Sequence, residues 1–415
     1  MSQGRTTFFQ QSGWMLLATV AAGGGMALVQ WYAGKTLSGA ELGVYGALLG
    51  ALGQIGIPVL GLQSVFAHQA ASAVTPQRER ELAGTLRGVA LGIFIIWLVI
   101  AAVALVAQAW ILKSFKIGSP LVLWITLFIA LAGMWQPMMT GVLQGAQRFY
   151  PLGGSSIVNG LGRFAGMFLL VQIFGVSVSG VMGGVLIGTL LGLVLVAWTT
   201  REAWRGPRAP VPWGAWFRRV VPITLGLAAP TCMFTMDTLA VQYVFPKETT
   251  GDYNAARVVG VTLLYLTAAM TQVMFPKIVR SAARLEKSDA LMLALGASAV
   301  MGVLGCLACT LLPALPLRIL WGEKYIHMAW LVPWFAWCIL PVSLAGVLVN
   351  NLLARERYAV VPWLLVVGVG YAVALRFFHG DFVTVVRTMG IFGLVLLALT
   401  LGFTRWAKGP PVKAG

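Results

Sequence analysis

The sequence predicts an all-α polytopic membrane protein with about twelve transmembrane helices in two six-helix lobes related by a parallel repeat. Three observations carry this expectation. Of the 415 residues, 59% are hydrophobic and only 10% are charged, where a soluble chain has about 25% charged residues. Apolar runs long enough to cross a bilayer, at roughly 20 residues each, recur from Met15 to Phe403. Short patterns from the first half return in the second at a nearly constant offset. Soluble enzymes, disulfide scaffolds and disordered chains are excluded on composition alone.

Taken in order, the apolar runs place helices near 13–33, 41–67, 88–112, 120–144, 152–174, 179–199, 221–244, 253–276, 290–315, 328–352, 361–377 and 383–404. The first run is too long for the apolar core of a signal peptide and lacks a small-residue cleavage site, so a retained helix is expected. The chain then reads as an N-terminal lobe over 1–199, a basic linker over 200–220 and a C-terminal lobe over 221–415. The linker carries Pro207, Pro210 and Pro212 with Trp204, Trp213 and Trp216, and a place on the inner headgroups is expected for it.

The net charge of +17 would suggest nucleic acid in a soluble chain. Here the basic residues sort by side. One set of loops, including Arg78 to Arg87, Arg201 to Arg219 and Lys277 to Lys287, holds 19 of the 29, and the opposite set holds 7. The positive-inside rule accounts for that bias if both termini are cytoplasmic, and no nucleic-acid partner is needed.

The repeat rests on two matches. Gly43-Val44-Tyr45 opens the second helix and Gly251-Asp252-Tyr253 the eighth, with the tyrosines 208 residues apart. Leu143-x-Gly145-x-x-Arg148 closes the fourth helix and Leu352-x-Ala354-x-x-Arg357 the tenth, with the arginines 209 apart. Two six-helix halves that start on the same side are parallel repeats, and a substrate path between such lobes is the usual transporter plan.

The segment Leu37-Ser38-Gly39-Ala40-Glu41-Leu42-Gly43-Val44-Tyr45 resembles the opening signature of polysaccharide-biosynthesis flippases of the O-antigen type. Asp237-Thr238-Leu239 and Gly251-Asp252-Tyr253-Asn254-Ala255-Ala256 are similar to its second-half counterpart. That family belongs to the multidrug, oligosaccharidyl-lipid and polysaccharide exporter superfamily. Many of its members have fourteen helices, against the twelve read here. The resemblance implies translocation of an undecaprenyl-diphosphate-linked oligosaccharide, as in lipopolysaccharide assembly, from the inner to the outer leaflet of a bacterial cytoplasmic membrane. It implies a lipid-linked glycan and membrane lipid as partners, and admits other polysaccharide-assembly proteins. It implies no cofactor.

Three basic residues lie within the spans: Arg163, Arg257 and Arg387. An unpaired arginine at a helix centre costs about 2.5–3.5 kcal/mol, so each needs a partner or a cavity. Arg163 lies near mid-membrane, and Ser155, Asn159 and Arg163 share one helix face by i, i+4 spacing. This stripe is the candidate substrate site: Arg163 for the diphosphate, Asn159 and Ser155 along its approach. The alternative is an arginine satisfied by neighbouring helices. Asp237 and Arg257 are spaced to meet across the seventh and eighth helices, either as a structural ion pair or as a gate or coupling pair. Arg387, one turn inside its helix, is expected to snorkel outward. Glu41 is expected as a first-turn anion.

Gly24, at the centre of Gly23-Gly24-Gly25, and Pro230 are the hinge candidates. Gly184, Gly188 and Gly192 make a small-residue stripe for close packing. Enzyme readings fare poorly: the four cysteines and three histidines form no metal pattern, and there is no phosphate-cradling Gly-x-x-x-x-Gly-Lys loop. The other transporter reading is a multidrug or cation extruder of the same superfamily. Such pumps need interior acids, whereas the spans offer Asp237 against three arginines. A non-transporting scaffold for glycan assembly is the third reading.

Overall fold

A computed structural model describes residues 2–175, 177–262, 290–355 and 357–406. Every regular element among them is helical, and the protein is a multi-pass membrane protein of the expected all-α class. Nine of these helices are long and apolar enough to cross a bilayer, or up to eleven if two bent pairs each count as a span. The expected span at 253–276 is helical over 250–262 (α11), and its remainder lies outside the described residues, as do the basic residues from Lys277 to Lys287.

The chain divides into two compact units. Unit 1 comprises residues 1–48 and 55–224, and unit 2 comprises 49–54 and 225–415. Unit 1 holds α1 (Ser2–Thr36), most of α2 (Gly39–Ile55), α3 (Leu62–Ser72), α4 (Pro76–Val106), α5 (Gln108–Ser114), α6 (Pro120–Gly145), α7 (Phe149–Phe174), α8 (Val178–Thr199) and α9 (Arg201–Arg205). It also takes the first turns of α10 (Trp213–Val244). Unit 2 holds the rest of α10, α11, α12 (Ala290–Leu311), α13 (Ala314–Trp321), α14 (Val332–Ala354), α15 (Val361–Phe377) and α16 (Phe382–Trp406).

Several boundaries differ from the apolar runs for local reasons. Ser38 and Glu41 form a capping box at the start of α2: the Glu41 N–H donates to Ser38 Oγ, and Glu41 Oε2 accepts from the Ser38 N–H at 3.1 Å and hydroxyl at 2.9 Å. Glu41 is therefore a reciprocal cap as well as a first-turn anion. The expected second span breaks at Gly56. Pro58 sits in a 3-10 turn, and the pieces on either side bend by 43°. Helix α4 begins twelve residues before its apolar run. Thr75 caps it and Pro76 takes the first turn, so a polar stretch precedes the buried part. The stretch from Pro316 to His327, expected as a loop, is largely helical. Leu295–Leu311 and α13 meet at 86° around Pro313, and a 3-10 turn follows over Ile326–Leu331.

The linker is partly helical. Helix α9 takes Arg201–Arg205 and helix α10 starts at Trp213, so more than half of the 200–220 segment is helix. The segment is also tied to α4. Arg87 donates to the Trp204 carbonyl at 2.5 Å and the Gly206 carbonyl at 2.6 Å, and the Ala209 N–H reaches the Arg80 carbonyl at 3.1 Å. Trp216 is buried against Phe66 in the core of unit 1, with Trp97, Met134 and Met138. Basic residues read only as an orientation signal thus also bind backbone, and Arg148 likewise donates to the Thr199 carbonyl at the end of α8.

The repeat is visible inside each unit. The Arg148 N–H bonds the Leu143 carbonyl at 2.8 Å, and the Arg357 N–H bonds the Leu352 carbonyl at 3.0 Å. This six-to-one bond is the Schellman closure of a helix end. Arg148 has φ −86° and ψ 67°, and Arg357 has φ −84° and ψ 71°. Side chains are also excluded at matched places. A Cβ on Gly160 would collide with Ala22 in unit 1, and one on Gly368 would lie 3.1 Å from Ala229 in unit 2.

Candidate functional site

Helix α7 carries Arg163 as its fifteenth residue of 26, about 21 Å from one end and 17 Å from the other by helical rise. The face it shares with Ser155 and Asn159 meets α8. A Cβ on Gly188 would collide with the Arg163 backbone, and one on Gly192 would lie 3.0 Å from Asn159 Cβ. The glycine stripe and the polar stripe are therefore two sides of one contact. Glycine is required because the α8 backbone touches α7 where a methyl group would stand.

Within that contact, Arg163 Nη2 donates to Thr189 Oγ1 at 3.2 Å, while the Thr189 hydroxyl donates to the Val185 carbonyl at 2.7 Å. Asn159 Nδ2 donates to Gln136 Oε1 on α6 at 3.2 Å, and Ser155 Oγ donates to the Leu152 carbonyl at 2.7 Å. Tyr45, from the opening signature, is buried within electrostatic reach of Arg163. Ser155 and Asn159 are enclosed by packing, whereas Arg163 is half-buried. Of the three candidates, Arg163 is the one whose side chain is not fully enclosed.

The second constellation lies in unit 2. Asp237 on α10 is 1% exposed, and its charge is met by Arg257 on α11, with Nε to Oδ2 at 2.9 Å. Tyr253 donates its hydroxyl to the same oxygen at 3.0 Å, and Arg257 Nη2 also donates to the Phe234 carbonyl. Asp237 Oδ1 and the hydroxyl of fully buried Tyr371 are enclosed without a hydrogen-bond partner among the described residues. Both acid and base sit about 10 Å from the ends of their helices by rise. A guanidinium and a phenol thus both bind the buried carboxylate, which offsets the cost of placing it away from water.

The sequence reading missed Gln136, Thr189, Tyr253 as a ligand of Asp237, and Tyr371. The repeat offset contains the signal for the last, since Tyr371 stands 208 residues after Arg163. The hinge candidates lie in unbroken helix. Helix α1 runs through Gly23, Gly24 and Gly25, and α10 runs through Pro230. Gly25 is used for contact, because a Cβ there would collide with Gly160 on α7, while nothing lies within 4 Å of one built on Gly24. Among the described residues no group of three or more His, Cys, Asp or Glu could hold a metal.

Residues 48–282 match the family of polysaccharide biosynthesis proteins. The chain belongs to that family. No curated protein matches it in sequence. Its fold is similar to that of the lipid II flippase MurJ in an inward closed conformation, at TM-score 0.72 and 14% identity over 95% of this chain and 87% of that one. It is also similar to the eukaryotic MATE transporter AtDTX14, at TM-score 0.69 and 12% identity over 96% of each chain. An inward-facing multidrug resistance MATE transporter of the MOP superfamily matches at TM-score 0.68 and 12% identity over 92% of each. At these identities the likeness is one of fold. The polysaccharide biosynthesis family and these neighbours are transporters and flippases, not enzymes.

Proposed function

We propose that this family member flips an undecaprenyl-diphosphate-linked oligosaccharide, a polysaccharide repeat unit, from the inner to the outer leaflet by alternating access of two lobes. The observation that carries the reading is Arg163, a half-buried cation in the middle of a spanning helix, in a member of the polysaccharide biosynthesis family. A diphosphate is the lipid-linked group that would repay an arginine there, through charge-assisted hydrogen bonds. Asn159 and Ser155 would position α7 against α8 beneath it. The similarity in fold to a flippase named for lipid II supports a lipid-linked substrate.

The proposed setting is a bacterial cytoplasmic membrane with both termini inside, as the 19-to-7 distribution of basic residues favours. Other polysaccharide-assembly proteins are the expected partners. Asp237 and Arg257 are proposed as a gate or coupling pair, and Gly24 and Pro230 as places where α1 and α10 bend. A cation extruder needs an interior acid free to bind its cargo, and Asp237 is already bound by Arg257.

The test is complementation of a flippase-null strain by wild type and by Arg163→Ala, with membrane levels of both measured. Rescue by wild type alone supports both the function and the site. Rescue by both sinks the assigned role of Arg163, and rescue by neither at normal levels sinks the substrate class tried.

A further inference from the structure

Unit 2 carries a groove of about 790 Å³ between α12, α14 and α16. Its floor lies where α14 and α16 touch. A Cβ on Gly390 would lie 2.8 Å from Cys338 Sγ, and one on Gly393 would lie 2.6 Å from Val342. Trp334, Trp337, Ile391 and Leu394 form its walls and are all exposed. Large apolar side chains left exposed on spanning helices face hydrocarbon, so the groove opens to lipid. Trp337 is fixed there by its Nε1 hydrogen bond to Thr310 Oγ1 at 3.0 Å.

Among the described residues that line the groove, one is charged. Arg387 lines it, exposed, five residues after the start of α16, about 7.5 Å along the helix. Its guanidinium lies over the Trp334 ring at 4.4 Å. Among the described residues it makes no ion pair with a carboxylate. A guanidinium at the edge of the hydrocarbon is costly unless it reaches a headgroup.

We propose that this groove binds an anionic glycerophospholipid, with the phosphodiester on Arg387 and an acyl chain laid along Trp337, Pro341 and Leu394. The lipid comes from the leaflet in which α14 and α16 begin, the outer one in the proposed orientation. Charge count selects the headgroup. One cation matches one phosphodiester, and among the described residues of the lining a lipid diphosphate finds no second basic residue. Asp381, the acid within electrostatic reach of Arg387, is engaged by the Thr384 N–H and less available to an ammonium. The stacked guanidinium keeps its fork toward the phosphate, a geometry that an ammonium does not share.

The test uses the full-length purified protein and native mass spectrometry, with phosphatidylglycerol, phosphatidylethanolamine and undecaprenyl diphosphate added separately at equal concentration. Phosphatidylglycerol is expected to be retained over the other two. Arg387→Gln should weaken its retention about fivefold and leave phosphatidylethanolamine unchanged. Leu394→Trp, which fills the groove from an exposed position, should weaken it at an unchanged melting temperature. Equal retention of phosphatidylglycerol and phosphatidylethanolamine, or wild-type retention by both variants, overturns the proposal. Preferential retention of undecaprenyl diphosphate also overturns it, by making the groove a substrate site.

Discussion

Tyr253 and Arg257 bind the same carboxylate oxygen of Asp237, the tyrosine from 3.0 Å and the arginine from 2.9 Å. Tyr253 belongs to the repeated motif of the second half, and its counterpart Tyr45 lies within reach of Arg163 in the first. Each unit thus sets a motif tyrosine near its interior arginine, and in unit 2 an acid joins them. Removing one partner of the pair should therefore be costly. Asp237→Asn or Arg257→Gln alone is expected to destabilise by about 3–5 kcal/mol, and the double variant by less than the sum. Thermal unfolding in detergent measures this. Normal transport by the charge-swapped double variant would remove Asp237 as a coupling carboxylate.

Transport should respond to membrane potential. A diphosphate moving outward against an inside-negative potential gains about 2.3 kcal/mol per charge per 100 mV. Collapsing the potential across proteoliposomes with an ionophore should slow flipping by wild type. An unchanged rate would exclude the potential as the driving force.

Gly188 and Gly24 should behave differently. Gly188→Ala drives a methyl group into the Arg163 backbone and should cost about 1–3 kcal/mol. Gly24→Ala meets open space and should leave stability unchanged or raise it by up to about 1 kcal/mol. If α1 bends at Gly24 during transport, that variant flips more slowly at full stability. Wild-type rates for Gly24→Ala and for Pro230→Ala would dismiss both hinges.

Asp381 caps α16, accepting the Thr384 N–H at 2.7 Å. Bonds from the Thr384 side chain and backbone hold its carboxyl below the usual value of 3.8. The folded pKa is depressed, so this stabilisation is fully present above the unfolded value and is lost as pH falls through the folded one. Asp381→Ala should therefore lower stability by about 1 kcal/mol at neutral pH. The gap from wild type should close in acid below the carboxylate range. Melting temperatures of both proteins across that range provide the check.

Most of the fold could be read from the sequence because lipid imposes one rule: each span must be apolar and helical. Boundaries were less legible, since apolar runs do not reveal caps. Thr75 starts α4 in polar sequence, and Trp213 starts α10 inside a basic segment. The pairing of Asp237 with Arg257 was legible because adjacent antiparallel helices turn spacing into contact. The surroundings of Arg163 were less so. Nothing in the local pattern says that Ser155 and Asn159 face the glycines of α8, and the choice between packing and pathway needed that contact.

Both interior arginines find side-chain partners on an adjacent helix in the chain. Arg163 meets Thr189 across the short connection between α7 and α8, and Arg257 meets Asp237 across the connection between α10 and α11. Each contact can close as soon as two successive helices have been synthesised. A helical hairpin can then leave the translocon with its charge already held, so the nascent chain does not wait for distant segments to shelter an arginine from lipid.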